Sequence, residues 1–135
     1  MATQKPTNLG YAEIAKLVAE EASTGVESVV GIETSCTASE ASTFANPAGG
    51  TKISANGIQL ANANTVATVT TTVTDDTVQL DHVFTFTGTQ IVKGFAILNN
   101  DDDVVFAEAC FAADVNGLSS DTLTVQMKQQ FKLGS

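Results

Sequence analysis

The clearest hydrophobic pattern in the chain is a strict alternation between residues 65 and 87. Side chains that share one face of two successive strands are Ala67, Val69, Thr71 and Val73, followed by Val78, Leu80, His82, Phe84 and Phe86. A two-residue turn at Asp75-Asp76 brings both sets to the same side of a hairpin. The cross-strand pairs of that register are Val73–Val78, Val69–His82 and Ala67–Phe84. A slip by one residue would turn both Phe rings toward water, so the pattern predicts this register.

Four further segments have the pattern of strands, and they surround this hairpin in the chain. Residues 91–98 are apolar on both faces apart from Lys93, which predicts a central strand in which Gly94 allows a close backbone approach. The other predicted strands are 27–34, 104–110 and 122–133, with an acidic turn at 99–103 and a turn region at 112–120 that contains Asn116-Gly117. Strands at hairpin spacing with few helices predict an all-β fold, an antiparallel β-sandwich of the jelly-roll or immunoglobulin type.

One short α-helix is predicted near the N-terminus, over residues 8–22. Its apolar positions recur at three- and four-residue spacing and are Tyr11, Ile14, Leu17 and Val18. Thr7 or Asn8 can cap its start, and Gly25 lies just past its end. The apolar face of this helix covers either the protein's own sheet or a neighbouring subunit.

Residues 35–57 are rich in Ser, Thr, Ala, Asn and Gly. The segment is longer than a normal connection in a compact domain, and such segments are usually functional or ordered by a partner. Its bulky apolar anchors are Phe44, Pro47 and Ile53. The composition favours an extended surface arm or a wandering loop, with a flat solvated loop as the alternative.

Length and charge narrow the class of protein. A chain of 135 residues is one domain, 1–135. Six Lys+Arg against fifteen Asp+Glu give a net charge of −9, which repels phosphate backbones and argues against nucleic-acid binding. No stretch is apolar over the length of a membrane span, and the first residues have no hydrophobic export signal, so we expect neither membrane insertion nor secretory export.

Candidate chemistry is sparse. His82 is the single histidine and lies between Leu80 and Phe84 on an apolar face, which favours a core or interface residue over a catalytic one. Cys36 and Cys110 are interpreted as two small thiols, with one disulfide as the alternative. The acidic cluster at 99–103 lacks the spacing of a calcium loop, and the absence of Trp argues against a sugar-stacking platform. We therefore predict no catalytic, cofactor-binding or metal-binding residues.

The abundance of hydroxyl side chains points instead to a surface that binds other proteins. The chain has nineteen Thr and nine Ser. These side chains lose little conformational entropy when an interface orders them, compared with Lys and Glu. Such a surface suits a subunit of an assembly.

The residues also resemble a known family. The run T-V-T-T-T-V-T-D-D-T-V-Q-L-D-H-V-F-T-F-T-G-T-Q-I-V-K-G-F-A-I-L-N, over residues 68–99, is similar to a small Thr-rich structural protein of tailed bacteriophages, tail or capsid-associated. The family's final N-G-L/D-x-L-x-V element is matched by Asn116-Gly117-Leu118 with Asp121, Leu123 and Val125. The opening T-N-L-G before a helix, at Thr7, is also similar, whereas residues 35–57 are the least recognisable.

This resemblance implies a non-enzymatic virion protein that is made in the host cytoplasm and released by lysis. We expect a homo-oligomer that contacts other virion proteins such as the major capsid protein, with no nucleic acid and no membrane as partner. A capsid decoration or cement subunit is the preferred role, and a tail or tail-fibre component, receptor-facing or not, is the alternative. The candidate interface residues are Tyr11, Phe44, Pro47, Thr68, Thr70 and Thr72.

Overall fold

The computed structural model describes residues 3–10, 28–68, 76–100 and 103–131. In chain order the strands are β1 (Thr3–Pro6), β2 (Ser28–Glu33), β3 (Thr51–Lys52), β4 (Ala61–Asn62), β5 (Asn64–Thr68), β6 (Asp76–Thr85), β7 (Gln90–Asn99), β8 (Val104–Gly117) and β9 (Thr122–Phe131). A 3₁₀ turn covers Pro47–Gly49. Within these ranges, no helix combines the length and the apolar character that a membrane span requires.

The strands form two antiparallel sheets. The larger sheet has the order β1-β8-β7-β2-β3, and β4 also pairs with β2. Strand β7 lies between β8 and β2, as the two-faced apolar pattern of residues 91–98 predicts. Its side chains are buried on both faces of the sheet, Phe95 and Ile97 on one and Ala96 and Leu98 on the other.

The smaller sheet has the order β5-β6-β9 and packs against one face of the larger one. Their shared core includes Leu80, Phe84, Val125 and Met127 from the smaller sheet and Val29, Phe95, Ile97 and Ala107 from the larger sheet. The predicted all-β, sandwich-like fold is therefore confirmed, because the alternating apolar faces of both sheets meet in one core.

The hairpin between β5 and β6 forms, but the predicted register is wrong. The structure pairs Ala67 with Val78 rather than with Phe84, and Asp76 belongs to β6 instead of a two-residue turn. The two registers differ by six residues. Because side chains alternate with a period of two, an even shift leaves every apolar residue on the same face, so the pattern cannot distinguish the two registers. Val69 and Val73, from the predicted pairing, lie outside the described residues.

The turn predicted at 112–120 is also wrong over most of its length. Strand β8 continues to Gly117, with irregularities in its pairing to β7 on either side of residues 94–97. The chain reverses only at Leu118, whose amide donates to Asp121 Oδ2 at 2.8 Å. Gly117 serves packing rather than a turn, because a Cβ there would lie 2.1 Å from the Phe86 ring.

The N-terminus contains a strand that the sequence does not predict. Strand β1 pairs with residues 107–110 of β8, and the short polar sequence T-Q-K-P has no apolar alternation to reveal it. The predicted cap is confirmed: residues 8–10 are helical, and the Gly10 amide donates to Thr7 Oγ1 at 2.9 Å. Residues 11–22 of the predicted helix, and Gly25, lie outside the described residues.

Candidate functional site

Residues 34–50, which we call the strap, cross the outer face of the larger sheet. That face is apolar and consists of Val30, Ile32, Ala96, Leu98 and Val105. The strap covers it with Cys36, Phe44 and Ala48. The expectation of an extended arm is therefore wrong for this part of residues 35–57, because burying these side chains against the protein's own sheet removes apolar area from water.

The strap is organised by a buried carboxylate, Glu108 of β8, whose exposed fraction is 0%. The Ser39 amide donates to Glu108 Oε2 at 2.9 Å, and Ser42 Oγ donates to the same oxygen at 2.8 Å. The Ala48 amide donates to Oε1 at 3.0 Å. Both carboxylate oxygens are thus satisfied by strap donors, which compensates the burial of a charged group.

Sequence reasoning missed the role of Glu108, although a signal was present. The run V-V-F-A-E-A-C over residues 104–110 is apolar except for one Glu. An acidic residue inside an otherwise apolar strand needs hydrogen-bond donors that the strand itself cannot supply. Its donors come from about sixty residues earlier in the chain, at separations of 60–69, so only the folded chain identifies them.

A disulfide joins Cys36 of the strap to Cys110 of β8, which corrects the interpretation of both residues as free thiols. The two Cα atoms are 5.7 Å apart, although the residues are 74 positions apart in sequence. Cys110 pairs with Gly94 across the sheet, and a Cβ at Gly94 would lie 2.6 Å from Cys36 Sγ. The predicted close approach at Gly94 is confirmed, and the space that this glycine leaves accommodates the bridge.

Two candidate interface residues, Phe44 and Pro47, lie in the strap. Pro47 is buried and opens the 3₁₀ turn. Phe44 is half-buried, and the ammonium of Lys52 lies 3.6 Å from the centre of its ring. Burial lowers the pKa of Lys52, and the carboxylate of Asp103 acts in the opposite direction. Both side chains thus pack within their own subunit.

The other four candidate interface residues are separate from the strap. Thr68 ends β5, in the smaller sheet. Tyr11, Thr70 and Thr72 lie outside the described residues. Among the candidate residues that the structure describes, only Phe44 and Pro47 therefore lie in the same segment. The role of all six residues in an interface stays a prediction.

A second surface is the outer face of the smaller sheet, which we call the hydroxyl face. The residues of β6 and β9 that alternate with the core residues form it: Gln79, Asp81, Val83, Thr85, Thr122, Thr124, Gln126 and Lys128. Val83 has an exposed fraction of 56% and pairs with Thr124. Gln79 Nε2 donates to Asp81 Oδ2 at 2.8 Å. The face thus combines short polar side chains with one exposed apolar residue near its middle.

A cleft of about 420 Å³ opens beside the end of β2, and its lining includes Glu33, Gln90, Ile91 and Lys93. Within this lining Gln90 Nε2 donates to Glu33 Oε2 at 2.8 Å, and Asn56 Nδ2 donates to Gln90 Oε1 at 2.9 Å. Lys93 forms an ion pair with Asp114 at 2.8 Å. These polar side chains are paired with one another by hydrogen bonds and an ion pair, so the cleft is a surface groove with fixed walls.

His82 lies on the core side of β6, where its ring meets the Phe84 ring edge-on with centroids 4.5 Å apart. Burial lowers the pKa of His82 below its ordinary value of 6.5. Among the described residues, no group of three or more His, Cys, Asp or Glu could hold a metal ion.

We expect the lowered pKa of His82 to make stability depend weakly on pH. The unfolded chain binds a proton near pH 6.5 while the folded chain binds it at lower pH, so the free energy of unfolding falls as the pH falls below about 6.5. Thermal unfolding midpoints at pH 7.5 and 5.5 measure this. The His82→Gln variant should lose less stability over that interval than the wild type, and an equal or larger loss would contradict the assignment.

Comparison with known proteins gives no further assignment, because no family model, curated protein or solved structure matches this chain.

Proposed function

We propose that this protein is a non-enzymatic structural subunit of a tailed-bacteriophage particle and decorates the outside of the capsid. The resemblance of residues 68–99 to Thr-rich phage structural proteins supports the class of protein. The single structural observation that carries the proposal is the hydroxyl face, a sheet surface on which three exposed Thr side chains, Thr85, Thr122 and Thr124, surround the exposed Val83.

The hydroxyl face suits a protein partner for an energetic reason. Thr122 and Thr124 are exposed and have few rotatable bonds, so an interface immobilises them at a small entropic cost. Val83, also exposed, offers apolar area at the middle of the face. Lys128 is the one Lys or Arg of this face, which leaves it without the basic character that nucleic-acid binding needs.

The charge of the chain supports a position outside the shell. A net charge of −9 is repelled by packaged DNA, whose phosphates line the interior of a filled capsid. The strap packs on the protein's own sheet, so it does not serve as an extended surface arm toward the capsid. The contact with the capsid is assigned to the hydroxyl face instead.

The copy number in the particle tests the proposal. Particles whose genome encodes this chain are purified, and the chain is counted against the major capsid protein by quantitative mass spectrometry. Hundreds of copies per particle would support capsid decoration. Tens of copies or fewer would overturn decoration in favour of the tail or fibre role, and complete absence from particles would overturn both.

A single substitution tests the hydroxyl face directly. Thr124→Arg places a long charged side chain beside Val83, and we expect it to lower binding to capsids that lack the protein by about tenfold or more. Binding is measured by co-sedimentation of purified protein with such capsids. Ser54→Arg, at an exposed position in the loop after β3, is the matched control and should bind normally. Equal binding by both variants would exclude the hydroxyl face as the contact.

A further inference from the structure

The strap is a self-contained loop whose two ends are held together. Thr34 Oγ1 and Thr51 Oγ1 are 3.2 Å apart, Ser35 Oγ donates to the Gly49 carbonyl at 2.9 Å, and the Thr37 amide donates to the Ala48 carbonyl at 2.8 Å. Thr34 has a φ of 70° where the chain leaves β2. A compact loop with close ends and its own internal hydrogen bonds can move as one unit about the point where its two ends meet.

The attachments that fix the strap to the sheet are few and can be separated. One is the covalent bond between Cys36 and Cys110. The second is the set of hydrogen bonds to Glu108. The third is a set of contacts at Glu40 and Phe44: the Asn8 amide donates to the Glu40 carbonyl at 3.0 Å, the Lys5 ammonium lies 3.6 Å from the Glu40 carboxylate, and the Lys52 ammonium lies over the Phe44 ring. Of these three attachments, the disulfide alone is covalent and depends on the redox state of the surroundings.

Neither cysteine of the bridge is fully buried. Cys36 and Cys110 are both half-buried, in contrast to the fully buried apolar residues beneath the strap. Thiol–disulfide exchange requires an attacking thiolate to reach a sulfur atom, and partial exposure permits this.

We propose that the Cys36–Cys110 disulfide is a redox lock on the strap. In the dithiol form the strap is held by Glu108, by the contacts at Glu40 and by apolar contact, and it opens locally to expose the face formed by Val30, Ile32, Ala96, Leu98 and Val105. In the disulfide form the strap stays closed. Local opening without unfolding of the domain is the behaviour of a loop with few attachments to the core.

The locking reaction is an exchange with a small-molecule disulfide such as oxidised glutathione. One cysteine thiolate attacks that disulfide, forms a mixed disulfide and releases one glutathione thiol. The second cysteine thiolate then attacks the mixed disulfide at the protein sulfur and releases the second glutathione thiol. The protein loses two electrons and two protons, and the glutathione disulfide gains them. A dithiol reductant reverses both steps.

Hydrogen exchange on the isolated protein tests the lock, independently of any particle. The oxidised protein, the same protein in dithiothreitol, and a Cys36→Ser/Cys110→Ser variant are labelled in deuterated buffer for seconds to minutes. We expect the amides of Ser39 and Ala48 to exchange at least about tenfold faster in the reduced protein and in the variant. The amides of β7 should remain protected over the same interval in all three samples.

Two results would overturn the proposal. Unchanged exchange in the strap after reduction would show that Glu108 and apolar contact alone keep it closed. Simultaneous exchange of the strap and β7 would show that reduction unfolds the whole domain instead of releasing the strap alone. A Glu108→Gln variant in the oxidised state is the matched comparison. The amides of its strap should exchange more slowly than those of the reduced wild type, because the covalent attachment remains.

Discussion

Replacing Glu108 by Ala is expected to lower the free energy of unfolding by about 3 kcal/mol. The substitution leaves the Ser39 amide and the Ser42 hydroxyl without their acceptor, and the Ala48 amide keeps only its longer bond to Ser42 Oγ at 3.2 Å. Each buried donor without a partner costs about 1–3 kcal/mol, and water that enters beneath the strap recovers part of this. Chemical denaturation at neutral pH measures the difference in the free energy of unfolding. The two midpoints can be compared directly if the m-value is the same for both proteins.

Two variants separate the acceptor role of Glu108 from its volume and charge. Glu108→Gln keeps the shape but replaces one acceptor oxygen by a donor, so it should lose about 1–2 kcal/mol. Glu40→Gln removes an exposed carboxylate of the same strap, which lies 3.6 Å from the Lys5 ammonium, and should change stability by less than about 0.5 kcal/mol. A Glu108→Ala protein as stable as Glu40→Gln would refute the assigned role of the buried carboxylate.

Removing the disulfide with Cys36→Ser/Cys110→Ser is expected to lower the free energy of unfolding by about 3 kcal/mol. The bridge closes a loop between residues 74 positions apart. Cross-linking over that distance restricts the unfolded chain strongly, and the chain-entropy relation gives about 4 kcal/mol as the limiting value. Thermal and chemical unfolding of the oxidised protein and the variant measure the loss.

The control for this prediction is the wild-type protein under reducing conditions. It should unfold like the double variant, because the two samples share the absence of the bridge and differ only by sulfur for oxygen. A double variant as stable as the oxidised protein would contradict the prediction. When the double variant is combined with Glu108→Ala, the free energy of unfolding should fall by less than the sum of the two separate losses, because both changes release the same strap.

The faces of the strands could be predicted from the sequence, whereas their register could not. Leu80 and Phe84 are buried in the shared core, and Val83 and Thr85 are exposed, as the alternation requires. The pairing of Ala67 with Val78 differs by six residues from the expected pairing. Both registers satisfy the same alternation, so the choice between them depends on where the chain turns and on how β6 pairs with β9.

Glycine positions show a similar division. Gly94 lies in a central strand where a close approach is expected, and the structure confirms it. Gly117 follows Asn116, a pair that usually indicates a turn, but here the missing side chain accommodates the Phe86 ring. The local sequence cannot distinguish these two uses of glycine, because the ring that fills the space belongs to Phe86, just past the end of β6 and 31 residues away in the chain.

The strap is the part of the candidate site that sequence reasoning described least well. Its length and composition mark it as unusual, but they do not show which surface it covers. Its attachments to Glu108 and Cys110 span 60–74 residues of sequence, and a single chain carries no local signal for such distant partners.

The sequence by itself determined the all-β class, the central position of β7, the inward and outward faces of β6 and a helix cap at Thr7 or Asn8. These features follow from periodicities of two and 3.6 residues and from capping chemistry, which act over a few neighbouring positions. Only the tertiary structure decided the strand register, the closing of residues 34–50 over the larger sheet, the Cys36–Cys110 bridge and the donors around Glu108. Those depend on which distant segments the two packed sheets bring together, and no local periodicity records that.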